Sequence, residues 1–382
     1  MRVLYLSCDQ GVPVLGHKGA SVHVRELASA LSHLGVEVAI ASPRTELAGD
    51  ALDAPVEVLP LPGIGQKTSV EELRAALEKQ RSAVLEAARS FAADAIYERY
   101  ALFGDAGIKA AALLGIPHVL EVNAPLREEA LRFRTLPHPD LASAIERVVF
   151  RATSRIFAVS RALQRWLEKQ GVEPTRIEVV SNAVAPHRFG AQPERSDHEF
   201  VLGFCGSLKA WHGIEVLLEA CAVAFPEEPT LRLEVVGGGP LEHMLDAATL
   251  PAGRVRRFGP IRHADAIKRL QSWHAGVAPY LPVEDFYFSP LKVVEYMAAG
   301  VCPIASDLGE LAALLDNGGR GVLVPAGDAG QLASAFVELA RDRKRAHELG
   351  RRARAYVLEE RTWDRNARVV LESFATSRGL AA

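Results

Sequence analysis

FYFSPLKVVEYMAAG, residues 286–300, is the stretch from which the fold is read most directly. Ser289-Pro290 opens a helix, because proline fixes φ and lacks an N–H that a first helical turn could not pair internally anyway. Apolar residues then recur at helical spacing over Leu291 to Ala299, and the tail Ala298-Ala299-Gly300 is small. Short apolar runs flank this helix, Ala275 to Pro279 before it and Cys302 to Ser306 after it. Strand, helix, strand in that order is the repeating unit of a parallel sheet.

The same alternation extends in both directions. After 200 the strands read as Phe200 to Phe204, Arg232 to Val236, Val255 to Phe258, Ala275 to Pro279, Cys302 to Ser306 and Gly321 to Val324. Before it they read as Arg2 to Ser7, Val36 to Ser42, Ala95 to Tyr97, His118 to Val122, Ile156 to Val159 and Ile177 to Ser181. Helices with a 3.6-residue pattern fall between them, as over Val22 to Leu34, Val70 to Ala92 and Ile214 to Phe225. Residues 187–199 (HRFGAQPERSDHE) are polar and aperiodic and read as a linker. Two doubly wound domains are therefore expected, residues 1–190 and 199–360, and a chain of 382 residues is long enough for both cores. An amphipathic helix over 361–376 with no strand after it is expected to pack back on the first domain.

Composition narrows the partners. A net charge of -3, from 44 basic and 47 acidic residues, gives no polyelectrolyte surface for nucleic acid. Cys8, Cys205, Cys221 and Cys302 lie far apart in apolar contexts and read as reduced core residues. The chain enters Val3-Leu4-Tyr5-Leu6 at once, a first strand rather than an export signal, and no apolar run is long enough to span a membrane. A cytoplasmic protein is expected. Residues 127–165 carry eight arginines against four acids, which could dock on the inner face of a membrane or form a solvated face.

Ligands of open parallel sheets bind beyond the carboxyl ends of the strands, where loops and helix N-termini converge. In the loop 11–21 (GVPVLGHKGAS), Gly16, Gly19 and Ala20 allow close approach of a phosphate, and an ordinary tight connection reads equally well. Its spacing fits neither the nicotinamide fingerprint nor the Walker motif. In 203–213 (GFCGSLKAWHG), Lys209 suits a leaving diphosphate and His212 stands near it; a surface lysine beside a turn is the alternative. The run 235–240 (VVGGGP) lets a ligand lie against the backbone. On the helix of 286–300, Lys292 adds charge where amides face an anion, and Glu295 can accept two hydrogen bonds from a ribose diol. A helix in which Lys292 and Glu295 merely pair is the plainer reading.

Gly19-Ala20 with His23, the Gly206 loop, VVGGGP, Phe258-Gly259, Ala278-Pro279-Tyr280 and SPLKVVEYMAAG together resemble the retaining glycosyltransferase family 4, in order and over nearly the whole chain. The resemblance implies the α/β GT-B fold, two Rossmann-like parallel-sheet domains facing across an interdomain cleft. It implies transfer of a hexosyl group from a nucleoside-diphosphate sugar to an acceptor hydroxyl. The amides of Gly19 and Ala20 would approach the donor phosphates, and Lys209 with Lys292 would hold the diphosphate. Gly206, Ser207, His212, Gly237, Gly239 and Tyr280 would line the donor site, with Ile261 beside the base. Amides of Ser289, Leu291 and Lys292 would complete the phosphate cradle, and Glu295 would take the ribose hydroxyls. Acceptor contacts are expected from the first domain, at Glu98, Arg99, Tyr100, Glu121 and Asn123 and in the Arg127 to His138 loop; a buried ion pair beside a surface loop is the alternative reading.

Three positions depart from the family pattern. Tyr287 replaces the first of two glutamates eight positions apart, Ser207 and His212 replace a usual arginine and lysine, and Asn123 stands where a histidine is frequent. Asn123 can hydrogen-bond a sugar hydroxyl but cannot act as acid or base. Front-face displacement tolerates that loss, since the departing phosphate oxygen can take the acceptor proton; Lys209, Lys292 and Asn123 are then the residues expected at the reacting centre. No cofactor is expected, and no metal, since no Asp-x-Asp motif occurs. A sugar-nucleotide epimerase or phosphorylase of the same fold, and a two-domain sugar-binding protein, are the alternatives.

Overall fold

Parallel strands buried on both faces are Val- and Ile-rich throughout, and the helices that connect them must cover those faces. A computed structural model describes residues 1–47, 50–65, 69–283 and 286–379. They divide into two units: unit 1 comprises Met1–Ser181, Tyr287–Ser289 and Trp363–Ala382, and unit 2 comprises Asn182–Phe286 and Pro290–Thr362.

Unit 1 opens with β1 (Arg2–Ser7), α1 (Gly19–His33), β2 (Glu37–Ser42), β3 (Val56–Pro60), α2 (Val70–Ser90), β4 (Ala95–Arg99) and α3 (Ala106–Leu114). It continues through β5 (His118–Val122), α4 (Leu126–Phe133), α5 (Pro139–Ala152), β6 (Arg155–Ala158), α6 (Arg161–Lys169) and β7 (Ile177–Val179). All seven strands are parallel, in the order β3-β2-β1-β4-β5-β6-β7. Strand order reverses beside β1, which places a binding position at the ends of β1, β4 and β5. Helix starts are marked by short polar caps: Ser69 Oγ accepts from the Glu72 amide, and Ser160 Oγ from Leu163.

Unit 2 contains β8 (Phe200–Cys205), α7 (Ile214–Glu227), β9 (Leu231–Val236), α8 (Glu242–Ala247), β10 (Val255–Gly259), α9 (His263–Ser272) and β11 (Ala275–Ala278). Then come α10 (Leu291–Ala298), β12 (Cys302–Ser306), α11 (Leu311–Leu314), β13 (Val322–Val324), α12 (Ala329–Arg341) and α13 (Arg343–Glu360). Its six strands are parallel in the order β10-β9-β8-β11-β12-β13, with the reversal beside β8. The core packs Phe200, Leu202 and Phe204 of β8 against Leu217 and Cys221 of α7 and Phe336 of α12. The four cysteines carry free thiols.

The chain's last helix, α14 (Trp363–Gly379), groups with unit 1. Trp363, Ala367, Val370 and Phe374 are all buried, a single helical stripe, and α14 packs along α1, where Trp363 meets the His23 ring edge-on at 4.7 Å.

Two sequence expectations change. Residues 187–199 are not a linker between the units, because the boundary falls at Ser181/Asn182 and the segment belongs to unit 2. Gln192 donates to the Ala299 carbonyl and Arg195 to Gly300, so polar composition here serves docking rather than solvation. β3 had no place in the sequence reading. It is a half-exposed edge strand ending in Pro60, where a missing ladder donor is tolerated and the apolar alternation is weak.

Candidate functional site

The ends of β8 and β9 bring two glycine-dependent turns together in unit 2. The Gly206 amide donates to Val236 and Leu208 to Gly238, which lays the 206–208 turn against the VVGGGP run. A side chain at Gly237, where φ is +122°, would stand 2.1 Å from the Gly206 carbonyl oxygen, so only glycine closes this contact. Gly239 approaches the Leu208 backbone in the same way.

Lys292, in the first turn of α10, reaches this turn from the side. A Cβ at Gly206 would lie 3.0 Å from the Lys292 Nζ, so the missing side chain makes room for the ammonium. Lys292 is 9% exposed, and its Nζ has no hydrogen-bond partner among the described residues. The ammonium sits over the rings of Phe204, at 4.2 Å, and Tyr280, at 5.3 Å. Burial pulls it down to about 7, opposed by the neighbouring Cys205 thiol and Glu295. A buried cation without an acceptor is costly to the fold and is retained where a ligand supplies the anion.

The remaining donor-side candidates take varied places. Lys209 is half-buried with its ammonium 4.7 Å from the Trp211 ring, just ahead of the Ala210–His212 turn. His212 donates from Nδ1 to the Ser207 carbonyl, and burial together with the Lys292 charge pulls it down to about 3. His212 is thus a neutral ring at physiological pH, and any help it gives Lys209 is not that of a charge. Ser207 is exposed, Ile261 is half-buried after β10, and Leu291 is the first residue of α10. Ser289, expected in the same cradle, groups with unit 1.

Glu295 does not pair with Lys292. Its Oε1 accepts a 2.6 Å hydrogen bond from Nε2 of His263, the first residue of α9. The sequence reading missed His263, because nothing in the spacing of two residues 32 positions apart links them.

In unit 1 the register sets Ser7, Arg99 and Glu121 side by side across β1, β4 and β5. Glu121 accepts from His23 Nε2 at 2.6 Å and from the Asn123 side-chain nitrogen at 3.0 Å, and Arg99 lies 3.5 Å away. Burial pushes the Glu121 carboxyl up, but His23, Arg99 and Asn123 outweigh it and hold it at about 2. Asn123 therefore turns its amide nitrogen towards Glu121. Gly19 and Ala20 form the first turn of α1, whose amides have no acceptor within the helix.

Two acceptor candidates are committed elsewhere. Glu98 accepts from His118 Nε2 at 2.7 Å beneath Gly107, where a Cβ would come within 2.3 Å of its Oε2. Tyr100 donates to Glu146, which also accepts from Arg127 Nε. Both read from sequence as strand-end polar residues, but both face inward.

Comparison with known proteins follows the same division. Residues 18–183 match the family model for a Glycosyl transferase 4-like domain, and residues 199–342 match that for Glycosyl transferases group 1. The chain belongs to glycosyltransferase family 4. This glycosyltransferase is 27% identical over 382 residues to a D-inositol 3-phosphate glycosyltransferase of Pseudarthrobacter chlorophenolicus, covering 93% of this chain and 90% of that one. It is 28% identical over 346 residues to a phosphatidyl-myo-inositol mannosyltransferase of Mycolicibacterium smegmatis, covering 85% and 81%. Among solved structures, sucrose-phosphate synthase from Thermosynechococcus elongatus aligns at TM-score 0.77 and 20% identity, with 100% of both chains covered. Anabaena HepE in complex with UDP aligns at 0.71 and 18%, covering 98% of this glycosyltransferase and 100% of HepE. The two parallel-sheet units are those of the GT-B glycosyltransferase fold.

Proposed function

We propose that this enzyme moves a hexosyl group from a nucleoside-diphosphate sugar to an acceptor hydroxyl, with retention and without a metal ion. The observation that carries the reading is Lys292: a buried ammonium without a hydrogen-bond acceptor, beside a glycine turn that leaves space at its Nζ. A diphosphate supplies the missing anion. Lys209 adds charge from the same loop, and Glu295 accepts the ribose hydroxyls.

In the transfer step the bond from the sugar's anomeric carbon to the phosphate oxygen breaks, and the acceptor oxygen bonds to the same face of that carbon. The acceptor's proton passes to the departing phosphate oxygen. No side-chain base is required, which suits Asn123, and catalysis rests on positioning and on neutralising the diphosphate. Since Lys292 and Lys209 provide that charge, turnover is expected to survive EDTA unchanged; loss of activity restored by a divalent ion would overturn the metal-free reading. Retention is read by NMR of the anomeric product. The acceptor is proposed to lie on unit 1 near Arg99, Glu121 and Asn123.

A thermal-shift comparison of UDP, GDP, ADP and dTDP tests the donor class. A ligand at a hundred times its dissociation constant adds about 2.7 kcal/mol of stability. At least one is expected to stabilise the wild type, and failure of all four would sink the reading.

No helix among the described residues is long and apolar enough to cross a membrane. We propose instead that the cytoplasmic enzyme touches an anionic lipid surface with unit 1. Leu131, Phe133 and Val148 stand 52%, 63% and 54% exposed on the neighbouring helices α4 and α5, among exposed Arg132, Arg134, Arg147 and Arg151. Each arginine near such a surface contributes about 1 kcal/mol. Sedimentation with phosphatidylglycerol vesicles, but not phosphatidylcholine, is expected, and Arg132→Ser with Phe133→Ser should abolish it. Equal sedimentation of that variant would remove this face from consideration.

A further inference from the structure

Lys292 and Glu295 stand three positions apart on one helix, the spacing at which opposite charges ordinarily meet. Here they do not. The Lys292 ammonium has no hydrogen-bond acceptor, while the Glu295 carboxylate is taken by His263 from the start of α9. Both members of the His263–Glu295 pair are shielded, with side chains 11% exposed, so water competes weakly for the contact. The α9 start is fixed in turn by its lead-in: β10 ends at Gly259, whose φ is +61°, and the Gly259 carbonyl accepts from the Gly237 amide of the VVGGGP run.

We propose that His263 is a positioning residue that holds Glu295 away from Lys292, and so makes the enzyme select ribonucleoside over 2′-deoxyribonucleoside diphosphate donors. This rests on the donor reading above. With Nε2–H donating to Oε1, one lobe of the carboxylate is anchored and the other is left to accept from a ribose diol. A carboxylate held by a single fixed donor discriminates hydroxyl from hydrogen, because the deoxy ligand leaves a buried acceptor without a partner. Released from His263, Glu295 can turn onto Lys292. One change then weakens two contacts, the ribose hydrogen bond and the cation reserved for the diphosphate.

Calorimetric affinities of UDP, GDP and ADP beside their 2′-deoxy counterparts test this, read on whichever ribonucleotide binds most tightly. The wild type is expected to prefer that ribonucleotide by about tenfold or more, the loss of one charge-assisted hydrogen bond. His263→Ala should bring the ratio near one and also weaken inorganic pyrophosphate. His263→Gln, whose amide can donate to the same oxygen, should keep the preference, whereas the shorter His263→Asn should lose it. Those substitutions also cover the case in which the alanine variant fails to fold. A full preference in His263→Ala or His263→Asn overturns the role of His263 alone. Absence of preference in the wild type, or of any nucleotide binding, overturns the ribose reading and this inference together.

Discussion

Lys292→Met is expected to lower kcat/KM a hundredfold to a thousandfold, about 3–4 kcal/mol of transition-state stabilisation, the scale for removing one preorganised charge partner. Methionine keeps the stem that packs on Phe204 and Tyr280 and deletes only the ammonium. Because that ammonium is buried without an acceptor, the fold should lose nothing and gain stability. Activity and stability thus move in opposite directions, which a merely structural lysine would not produce. The charge also titrates in reach of experiment. Lys292 is protonated below about 7 in the free enzyme, so nucleoside-diphosphate affinity should fall up to tenfold per unit above it. The bound anion raises the lysine's own value, and the fall ends there. Titration calorimetry across pH 7 to 9, where the nucleotide's terminal phosphate is already ionised, checks this, and an equal fall in Lys292→Met would refute the assignment to this group. Near-normal turnover in the variant would remove Lys292 from the reacting centre.

Glu121→Gln should destabilise unit 1 by about 3–5 kcal/mol at pH 7, since Arg99 and His23 lose the charge they share in a buried position. The effect depends on pH in a fixed direction. The folded carboxyl sits at about 2 against an ordinary 4.5, so its ionised form contributes about 3 kcal/mol that is fully present above 4.5. As pH falls from 4.5 towards 2, wild-type Glu121 takes up its proton and that contribution disappears. The gap between wild type and Glu121→Gln should therefore close over the same interval. Urea denaturation at pH 7 and in steps towards pH 3 measures it. A gap below about 1 kcal/mol at pH 7, or one constant with pH, would show that the cluster does not stabilise the ionised carboxylate.

Local chemistry made much of the proposed donor side legible. The helix of 286–300 begins at Leu291 as Ser289-Pro290 requires, because proline's steric restriction acts over one residue. Glycine turns after β8 and β9 were visible for the same reason: their backbone geometry excludes other residues. The proposed acceptor side was less legible. Glu98 and Tyr100 read in sequence as strand-end groups that could meet an acceptor or be buried in an ion pair; His118 and Glu146 take them inward through pairings set by sheet register and helix placement.

Sequence by itself determined the alternation of strands and helices, the parallel sheets that follow from it, and the glycine and proline positions where the backbone must turn. Those are short-range consequences of sterics and burial, repeated along the chain. Tertiary structure alone decided partnership. Whether Lys292 meets Glu295 is open in the sequence; the fold closes it by bringing His263 from 32 positions away to the carboxylate and leaving the ammonium over two rings. His23 finds Glu121 across 98 positions in the same manner. Such pairings depend on strand order and on which helix start faces which strand end, and no spacing along the chain encodes them.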